Sequence, residues 1–399
     1  MSAPKLQRWE IAASTGSHFD ALDGLRGVAI LLVVAFHTLY VNPDHGLLVR
    51  LFNWGVIQSG WMGVPVFFVL SGFLISYPFF QKRAEDPQFW YQRGYARRRL
   101  AKILPPFYLS IVLSLGFYWV QFHDPAYFDS AWKWATGLAN FVPMPVSFNQ
   151  SYWSLLVESH FYLLLPVFFW CTRGLSVART GAVIFGILFF VPLVARQWVW
   201  PENLFVLPDF TSPLQIETLR QLTRFPCQLD YFAWGVIFAA LFVPLTKKNG
   251  LENLRPLAVL GYAGAALMAV TLVFCGVWQD QFGTGVHKTR WSVELSHLLP
   301  SVAALLLLFF VFDPASLGAR FLGLKWLRFI GIVSYEWFLF HGPVVRWFRE
   351  HGGPSHGSVL TYAWQTVVPL GLTFGLAVLV YRYFSLPILN RARDSLKKS

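Results

Sequence analysis

The chain has 399 residues, of which 55% are hydrophobic, 18% aromatic and 13% charged. About a quarter of the residues in a soluble domain are charged, so this composition excludes an ordinary soluble enzyme. It predicts an all-α, polytopic integral membrane protein embedded in a lipid bilayer. A net charge of +12 would favour nucleic acid as a partner in a soluble protein. Basic cytoplasmic loops explain the charge here, and we therefore expect no nucleic-acid partner.

Apolar stretches of spanning length occur along the whole chain and predict about ten transmembrane helices. They cover residues 21–41, 62–80, 103–122, 151–171, 181–199, 228–246, 256–279, 296–313, 327–349 and 364–386. With the N-terminus inside, 21 lysines and arginines fall in inner segments and 9 in outer ones. This asymmetry predicts that both termini are cytoplasmic. The predicted parts are a cytoplasmic N-terminal segment (1–20), a transmembrane domain (21–388) and a basic cytoplasmic tail (389–399).

The first predicted helix carries a cation near its start and a titratable imidazole further along. Arg26 and His37 are eleven residues apart. At about 100° and 1.5 Å per residue, they share one face and lie roughly 16 Å apart along the axis. Titratable groups inside a membrane are costly and usually indicate a functional site. The structural alternative is an arginine at the lipid headgroups and a histidine that is hydrogen-bonded within the bundle.

Two further titratable residues are expected at the depth of His37. Glu158 lies in the outer half of the fourth predicted helix, and His341 lies in the outer half of the ninth. Unpaired titratable groups that faced lipid would be too costly. We therefore predict that these three side chains converge in one cavity, nearer the outer than the inner face of the membrane.

Six sequence blocks occur in a fixed order along nearly the whole chain. They are Asp23-Gly24-Leu25-Arg26-Gly27 with His37, Gly60 to Ile75, Arg98 to Pro105, Trp153 to Glu158 with Phe161 and Tyr162, Arg224-Phe225 with Phe232 and Gly235, and Ile332 to Tyr335 with Leu339 and His341. Together they resemble the membrane-bound acyltransferase family 3, whose bacterial members O-acylate cell-envelope sugars and some secreted small molecules. The resemblance implies an O-acyltransferase of the bacterial cytoplasmic (inner) membrane. It also implies an acyl-CoA donor and a carbohydrate or glycosylated small molecule as acceptor.

Acyl transfer from a thioester to a hydroxyl needs a base for the hydroxyl proton and donors for the developing oxyanion. His37 suits the role of base, because an imidazole titrates near neutrality and can accept a proton when neutral. Glu158 either orients His37, as the acid of a catalytic triad does, or accepts a hydrogen bond from the acceptor. We predict His37 and Glu158 as the catalytic pair.

A basic cluster at the inner ends of the first and third predicted helices is the candidate donor site. It consists of Arg26, Arg98, Arg99 and Lys102. Acetyl-CoA, or another short acyl-CoA, is a cytoplasmic anion whose phosphates match arginine side chains. Asp23 lies one helical turn before Arg26 and is expected to hold it. The alternative is that the cluster only reflects the enrichment of cations in cytoplasmic segments.

Side chains on the fourth and ninth predicted helices are candidates for binding substrate. They are Trp153 and Tyr162 on the former and Ser334, Tyr335, Trp337 and His341 on the latter, together with Asp23 on the first helix. Ser334, Trp337 and His341 share one helical face and would form a second wall. The alternatives are an interfacial belt for the aromatic residues and hydrogen bonds within the bundle for the others. His297 beside Glu294 is assigned no role, and no cysteine or histidine spacing predicts a metal site.

A protein of another class could contain the same buried residues. In a transporter or permease for an acyl group or a small envelope precursor, the histidine and glutamate would form a proton or substrate path. In a scaffold subunit they would only satisfy one another. Consumption of a thioester separates an enzyme from both alternatives.

Overall fold

A computed structural model of the protein describes residues 19–38, 51–92, 94–142, 149, 151–200, 218, 221–282, 290–351 and 359–397, and every regular element in these ranges is helical. Short 3-10 and π-helical turns join several of the α-helices. The α-helices are α1 (Asp20–Thr38), α2 (Gly63–Glu85), α3 (Tyr95–Phe122), α4 (Ala126–Ala135), α5 (Tyr152–Cys171), α6 (Val177–Val199), α7 (Asp230–Asn253), α8 (Val259–Phe282), α9 (Arg290–Leu307), α10 (Leu317–Leu322), α11 (Lys325–Ile332), α12 (Ser334–His351), α13 (Val359–Val380) and α14 (Leu386–Lys397). The predicted all-α class is confirmed.

Nine stretches within the described residues are long and apolar enough to cross a membrane. They are Asp20–Thr38, Gly60–Glu85, Tyr95–Phe122, Tyr152–Cys171, Val177–Val199, Asp230–Asn253, Arg255–Val277, Ser292–Phe312 and Thr366–Ser395. These nine correspond to nine of the ten predicted spans, which confirms a polytopic membrane protein. The remaining prediction, 327–349, is divided at Val333 between α11 and α12. The side chains of Glu336, His341 and Arg346 make α12 less apolar than the other long helices.

Both predicted terminal segments are described only in part. Residues 1–18 of the N-terminal segment lie outside the described residues. Residues 389–397 of the predicted tail form the last nine residues of α14, and the last candidate span extends into this helix as far as Ser395.

Helix α2 is the most enclosed of the nine candidate spans, and glycines allow other helices to approach it closely. A Cβ atom on Gly72 would lie 2.3 Å from the Phe232 carbonyl oxygen, and one on Gly235 would lie 2.0 Å from that of Val69. Gly63 makes a similar contact with α1. Any side chain at these positions would push two helices apart, since the nearest atoms are backbone. Small residues at helix contacts are a common packing device in membranes.

Arg83 is counted among the inner cations in the sequence, but the structure buries it, with 2% of its surface exposed. Its guanidinium donates hydrogen bonds to the carbonyls of Phe169 and Thr172, both at 2.6 Å, and its Nε donates to the carbonyl of Phe89. A fourth bond reaches Thr180 Oγ1 at 3.2 Å. The last turn of α5 has carbonyls without intrahelical partners, and Arg83 satisfies them while joining α2, α5 and α6.

We expect Arg83→Leu to lower the thermal stability of the detergent-solubilised protein strongly. Each buried carbonyl left without a partner costs about 1–3 kcal/mol. Lys82→Leu is the matched control, because Lys82 is half exposed and pairs with the exposed Glu85. Equal melting temperatures for the two variants would contradict the capping role of Arg83.

Candidate functional site

A pocket with a cavity volume of about 140 Å³ lies between α1, α2, α5, α7, α9 and α12. A cavity of about this size holds one benzene-sized group. Its polar and aromatic lining comprises Phe36, His37, Trp61, Ser151, Trp153, Thr223, Gln228, Tyr231, His297 and Phe338. Two of the sequence-predicted residues, His37 and Trp153, therefore line one pocket.

His37, near the end of α1, packs directly against His341 of α12. The two ring centroids are 4.9 Å apart, and His341 Nε2 lies 3.2 Å from His37 Nδ1. His341 is completely buried, whereas His37 is half-buried and reaches the pocket. Ser151 Oγ lies 3.4 Å from His341 Nε2. The structure thus brings together two of the three titratable groups that were expected to converge.

The surrounding carbonyls decide which nitrogen of each imidazole carries the proton. His341 Nδ1 lies 3.1 Å and 3.0 Å from the carbonyls of Trp337 and Phe338, so Nδ1 must be the donor and Nε2 the acceptor in the neutral ring. His37 Nδ1 faces two acceptors, the Val33 carbonyl at 2.9 Å and His341 Nε2. It therefore carries the proton as well. This assignment leaves His37 Nε2 unprotonated and able to accept a proton.

Glu158 belongs to a different group of side chains. Its Oε1 accepts hydrogen bonds from Ser71 of α2 and from Tyr162, one turn further along α5. The Arg99 guanidinium lies 5.7 Å from the centre of the Tyr162 ring. Glu158 is absent from the lining of the His37 pocket. The structure therefore does not place Glu158 with His37 and His341, which contact each other, because its hydrogen-bond partners are Ser71 and Tyr162.

Cations and carboxylates of α1, α3, α5 and α12 lie close to one another. Lys102 is close enough for its charge to interact with Arg26, Arg99, Glu158 and Glu336. Arg26 Nη2 reaches Ser334 Oγ at 3.5 Å, and Arg26 Nε is buried without a hydrogen-bond partner among the residues that the structure describes. Buried polar atoms are normally paired. The orphaned donor therefore indicates a place where an anion can bind.

Glu336 is a member of this cluster that sequence reasoning missed. It is 4% exposed and lies next to Ser334 and Tyr335, which the sequence singled out. The sequence could have indicated Glu336, because it is a carboxylate within a run of aromatic residues. An ionisable side chain is costly in a membrane, which is the argument that identified Glu158.

The other predicted residues make contacts within the bundle. Tyr335 donates to the carbonyl of Ile103 at 2.9 Å, and Trp337 Nε1 donates to Thr373 Oγ1 at 3.0 Å. Asp23 is half-buried in the first turn of α1, and Arg98 is half-buried beside Arg99 at the start of α3. Within the described ranges, no group of three or more His, Cys, Asp or Glu residues is arranged to hold a metal ion.

Comparison with known proteins gives one family over nearly the whole chain. The family described as "Acyltransferase domain" matches residues 19–382. The chain is similar to O-acetyltransferase OatA of Staphylococcus aureus, with 24% identity over 94% of this chain and 58% of the relative. It is similar to peptidoglycan O-acetyltransferase OatA of Listeria monocytogenes, with 24% identity over 93% of this chain and 56% of the relative. It is also similar to putative peptidoglycan O-acetyltransferase YrhL of Bacillus subtilis, with 25% identity over 96% of this chain and 56% of the relative. The chain thus spans less than two thirds of the length of these relatives. No solved structure matches it.

Proposed function

We propose that this chain, which belongs to the family described as "Acyltransferase domain", is a membrane O-acyltransferase. It moves an acyl group, most simply acetyl, onto a hydroxyl. Membership confirms the resemblance drawn from the six sequence blocks. The relatives are bacterial proteins named as O-acetyltransferases, two of them with peptidoglycan in the name. We infer that the acceptor is a hydroxyl of a carbohydrate or of a glycosylated molecule and that the protein resides in the bacterial cytoplasmic membrane.

The observation that carries this proposal is that His37 lines a pocket while its Nδ1 contacts the Val33 carbonyl and His341 Nε2. From these contacts we infer that His37 Nε2 is unprotonated and can act as the base. His341 accepts from His37 Nδ1 and fixes the orientation of the ring, as the acid of a triad does. His341 is therefore a positioning residue in this proposal, and His37 is the base. Glu158, held by Ser71 and Tyr162, acts on the donor side of the reaction rather than on His37.

The proposed step is a direct acyl transfer. The acceptor hydroxyl gives its proton to His37 Nε2 while its oxygen attacks the thioester carbonyl. The tetrahedral intermediate collapses, the carbon–sulfur bond breaks, and the leaving thiolate takes the proton from the imidazolium. The products are an ester and a thiol, and His37 returns to its neutral form. General base catalysis of this kind contributes typically about 10²–10⁴ in rate.

The donor in this proposal is acetyl-CoA or another short acyl-CoA, held through its phosphates by the inner basic cluster. The orphaned Arg26 Nε and the neighbouring Lys102 and Arg99 support an anionic ligand there. Arg26 and His37 lie roughly 16 Å apart along α1. A pantetheine arm that extended along α1 would carry the thioester from the cluster to the pocket.

Acceptor-dependent thiol release tests this function. Purified protein in lipid nanodiscs is given acetyl-CoA and a panel of peptidoglycan-derived and simple oligosaccharides, and free CoA is measured with and without each acceptor. We expect release that depends on the acceptor, together with a product that has gained one acetyl group by mass spectrometry. A transporter or scaffold would release no CoA, which would overturn the proposal.

We expect Trp153→Ala to raise the KM for the acceptor about tenfold while leaving the KM for the donor unchanged. Trp153 lines the pocket, and an aromatic face contributes roughly 1 kcal/mol or more to the binding of a ring. Trp198→Ala is the control, because Trp198 is 87% exposed and distant from the pocket lining. Equal effects on both KM values would show that Trp153 supports the fold rather than the acceptor.

A further inference from the structure

The pocket has a second polar wall, which neither the sequence motifs nor the proposed acyl transfer assigns. It is formed by Gln228 in the segment before α7, Tyr231 on α7 and His297 on α9. Each of these residues is at most 5% exposed. Gln228 and Tyr231 lie within the fifth sequence block, between Arg224 and Phe232, and all three residues line the same pocket as His37 and Trp153.

A buried ionic network lies directly behind this wall. Arg196 of α6 forms two bonds with Glu294 of α9, from Nε to Oε1 at 3.0 Å and from Nη2 to Oε2 at 2.6 Å. Its Nη1 lies 3.0 Å from Asp230 Oδ2 and donates to the Cys227 carbonyl at 2.7 Å. Buried ion pairs are often no more stable than apolar side chains of similar size. Stability alone therefore does not explain why charges support this wall.

The network fixes the tautomer of His297. Its Nδ1 lies 3.1 Å and 3.0 Å from the two carboxylate oxygens of Asp230 and 3.2 Å from Arg196 Nη1. Because two acceptors lie closer to Nδ1 than this one donor does, Nδ1 carries the proton of the neutral ring and Nε2 has the lone pair. The ring of Tyr231 stacks on the imidazole at 4.5 Å with an interplanar angle of 18°. The plane of the ring and the tautomer of its neutral form are thereby set by the protein itself.

Gln228 presents an acceptor in the same way. Its Nε2 donates to the Leu222 carbonyl at 2.7 Å, and this bond orients the amide, whereas the contact with His297 Nε2 is long, at 3.4 Å. No residue in the described part of the chain donates a hydrogen bond to Gln228 Oε1. The wall therefore offers Gln228 Oε1 as an acceptor, together with His297 Nε2, whose long contact with the Gln228 amide would be replaced by a ligand hydroxyl at normal hydrogen-bond distance. Such a surface matches hydroxyl groups, which can donate to both.

We propose that Gln228 and His297 form the acceptor subsite and accept hydrogen bonds from hydroxyls next to the one that is acylated. Arg196 and Asp230 position these two side chains. The inference rests on the proposed acyl transfer and names its substrate class: a polyhydroxylated ring with free hydroxyls beside the reacting one, rather than a lipid alcohol with a single hydroxyl. The cavity holds about one ring, so the remainder of a larger acceptor would extend outside.

Two substitutions of His297 separate ligand binding from support of the fold. In His297→Asn the amide nitrogen can replace Nδ1 and donate to Asp230, but nothing replaces Nε2. In His297→Gln the longer side chain can place an acceptor near the position of Nε2 but cannot also restore the bond to Asp230.

We expect His297→Asn to melt like the wild type and to raise the KM for the acceptor about tenfold, which corresponds to the loss of one hydrogen bond. We expect the KM for acyl-CoA to stay unchanged. Gln228→Met should have the same kinetic effect, and Val64→Ala is the control for a change in pocket shape alone.

Deoxy analogues of the acceptor separate ligand binding from a structural role, because a structural role would not change which acceptor hydroxyl is recognised. The wild type should discriminate against analogues that lack a hydroxyl beside the reacting one, and His297→Asn should lose this discrimination for one of them. Unchanged KM values and unchanged discrimination in both His297→Asn and Gln228→Met would overturn the subsite. If the wild type released no CoA, the proposed function would fail instead of the subsite.

Ligand-observed NMR of acceptor binding to the same variants would then test separately whether the subsite binds the acceptor. Equal binding by the wild type and His297→Asn would overturn the subsite.

Discussion

We expect His37→Ala to abolish detectable acyl transfer while the protein still folds and inserts into the membrane. The substitution removes the unprotonated Nε2 that faces the pocket, and with it a general base worth about 10²–10⁴ in rate. The KM for acyl-CoA should change little, because the proposed phosphate contacts lie at the other end of α1. The measurement is CoA release by purified variants with matched melting temperatures.

The control and the partner residue make this prediction specific. Phe36→Leu alters the adjacent pocket-lining residue without removing a proton acceptor and should keep most of the activity. His341→Phe removes the acceptor that holds His37 Nδ1 and should cause a smaller loss, mainly in kcat. The double variant of His37 and His341 should be no worse than His37→Ala, because His341 acts through His37. An active His37→Ala protein would remove the base assignment and the mechanism with it.

The sequence predicted the helices well because their apolar length is a local property. Nine of the ten predicted spans reappear, and the tenth is divided where Ser334 donates to the carbonyl of Gly331. His37 was identifiable from an imidazole in an apolar helix. His341 was expected at the same depth, and the contact between them agrees with that expectation.

Depth alone did not predict which side chains meet. Glu158 was placed at the level of His37, but its hydrogen bonds are with Ser71 and Tyr162. Depth gives one coordinate of a side chain, whereas contact also depends on which helices are neighbours and how each is rotated. The bond to Tyr162, four residues along α5, follows helical spacing and could have been predicted. The bond to Ser71 of α2 could not.

The Arg196 network shows the same limit more strongly. Arg196 was counted as an outer cation, but it lies in the last turn of α6 and is 2% exposed. Its partners Asp230 and Glu294 lie on α7 and α9. No local pattern joins residues so far apart in sequence. Only the packing of three helices makes them one group.

The second large effect is expected at the inner cluster. Arg26→Gln and the double variant Arg99→Ala/Lys102→Ala should each raise the KM for acyl-CoA by about 10- to 100-fold, since a hydrogen bond to a charged group contributes about 1.5–3 kcal/mol. The KM for the acceptor should stay unchanged. Arg97→Gln is the matched control, because Arg97 is an exposed cation of the same helix and contributes equally to the inner positive charge.

The comparison with Arg97 separates ligand binding from membrane topology. If the cluster only directs insertion, all of these variants should lower the amount of inserted protein to a similar extent and leave the donor KM of the inserted fraction unchanged. If it binds the donor, Arg97→Gln should behave as the wild type, and the other variants should insert normally but need more acyl-CoA.

Glu336 allows a second test of how charge in the cluster affects donor binding. With Glu158 and Glu336 beside Lys102, neutralising Glu336 as Glu336→Gln should make the cluster more cationic and lower the donor KM. A higher donor KM in that variant would mean that Glu336 holds Lys102 in place for the phosphates rather than opposing them.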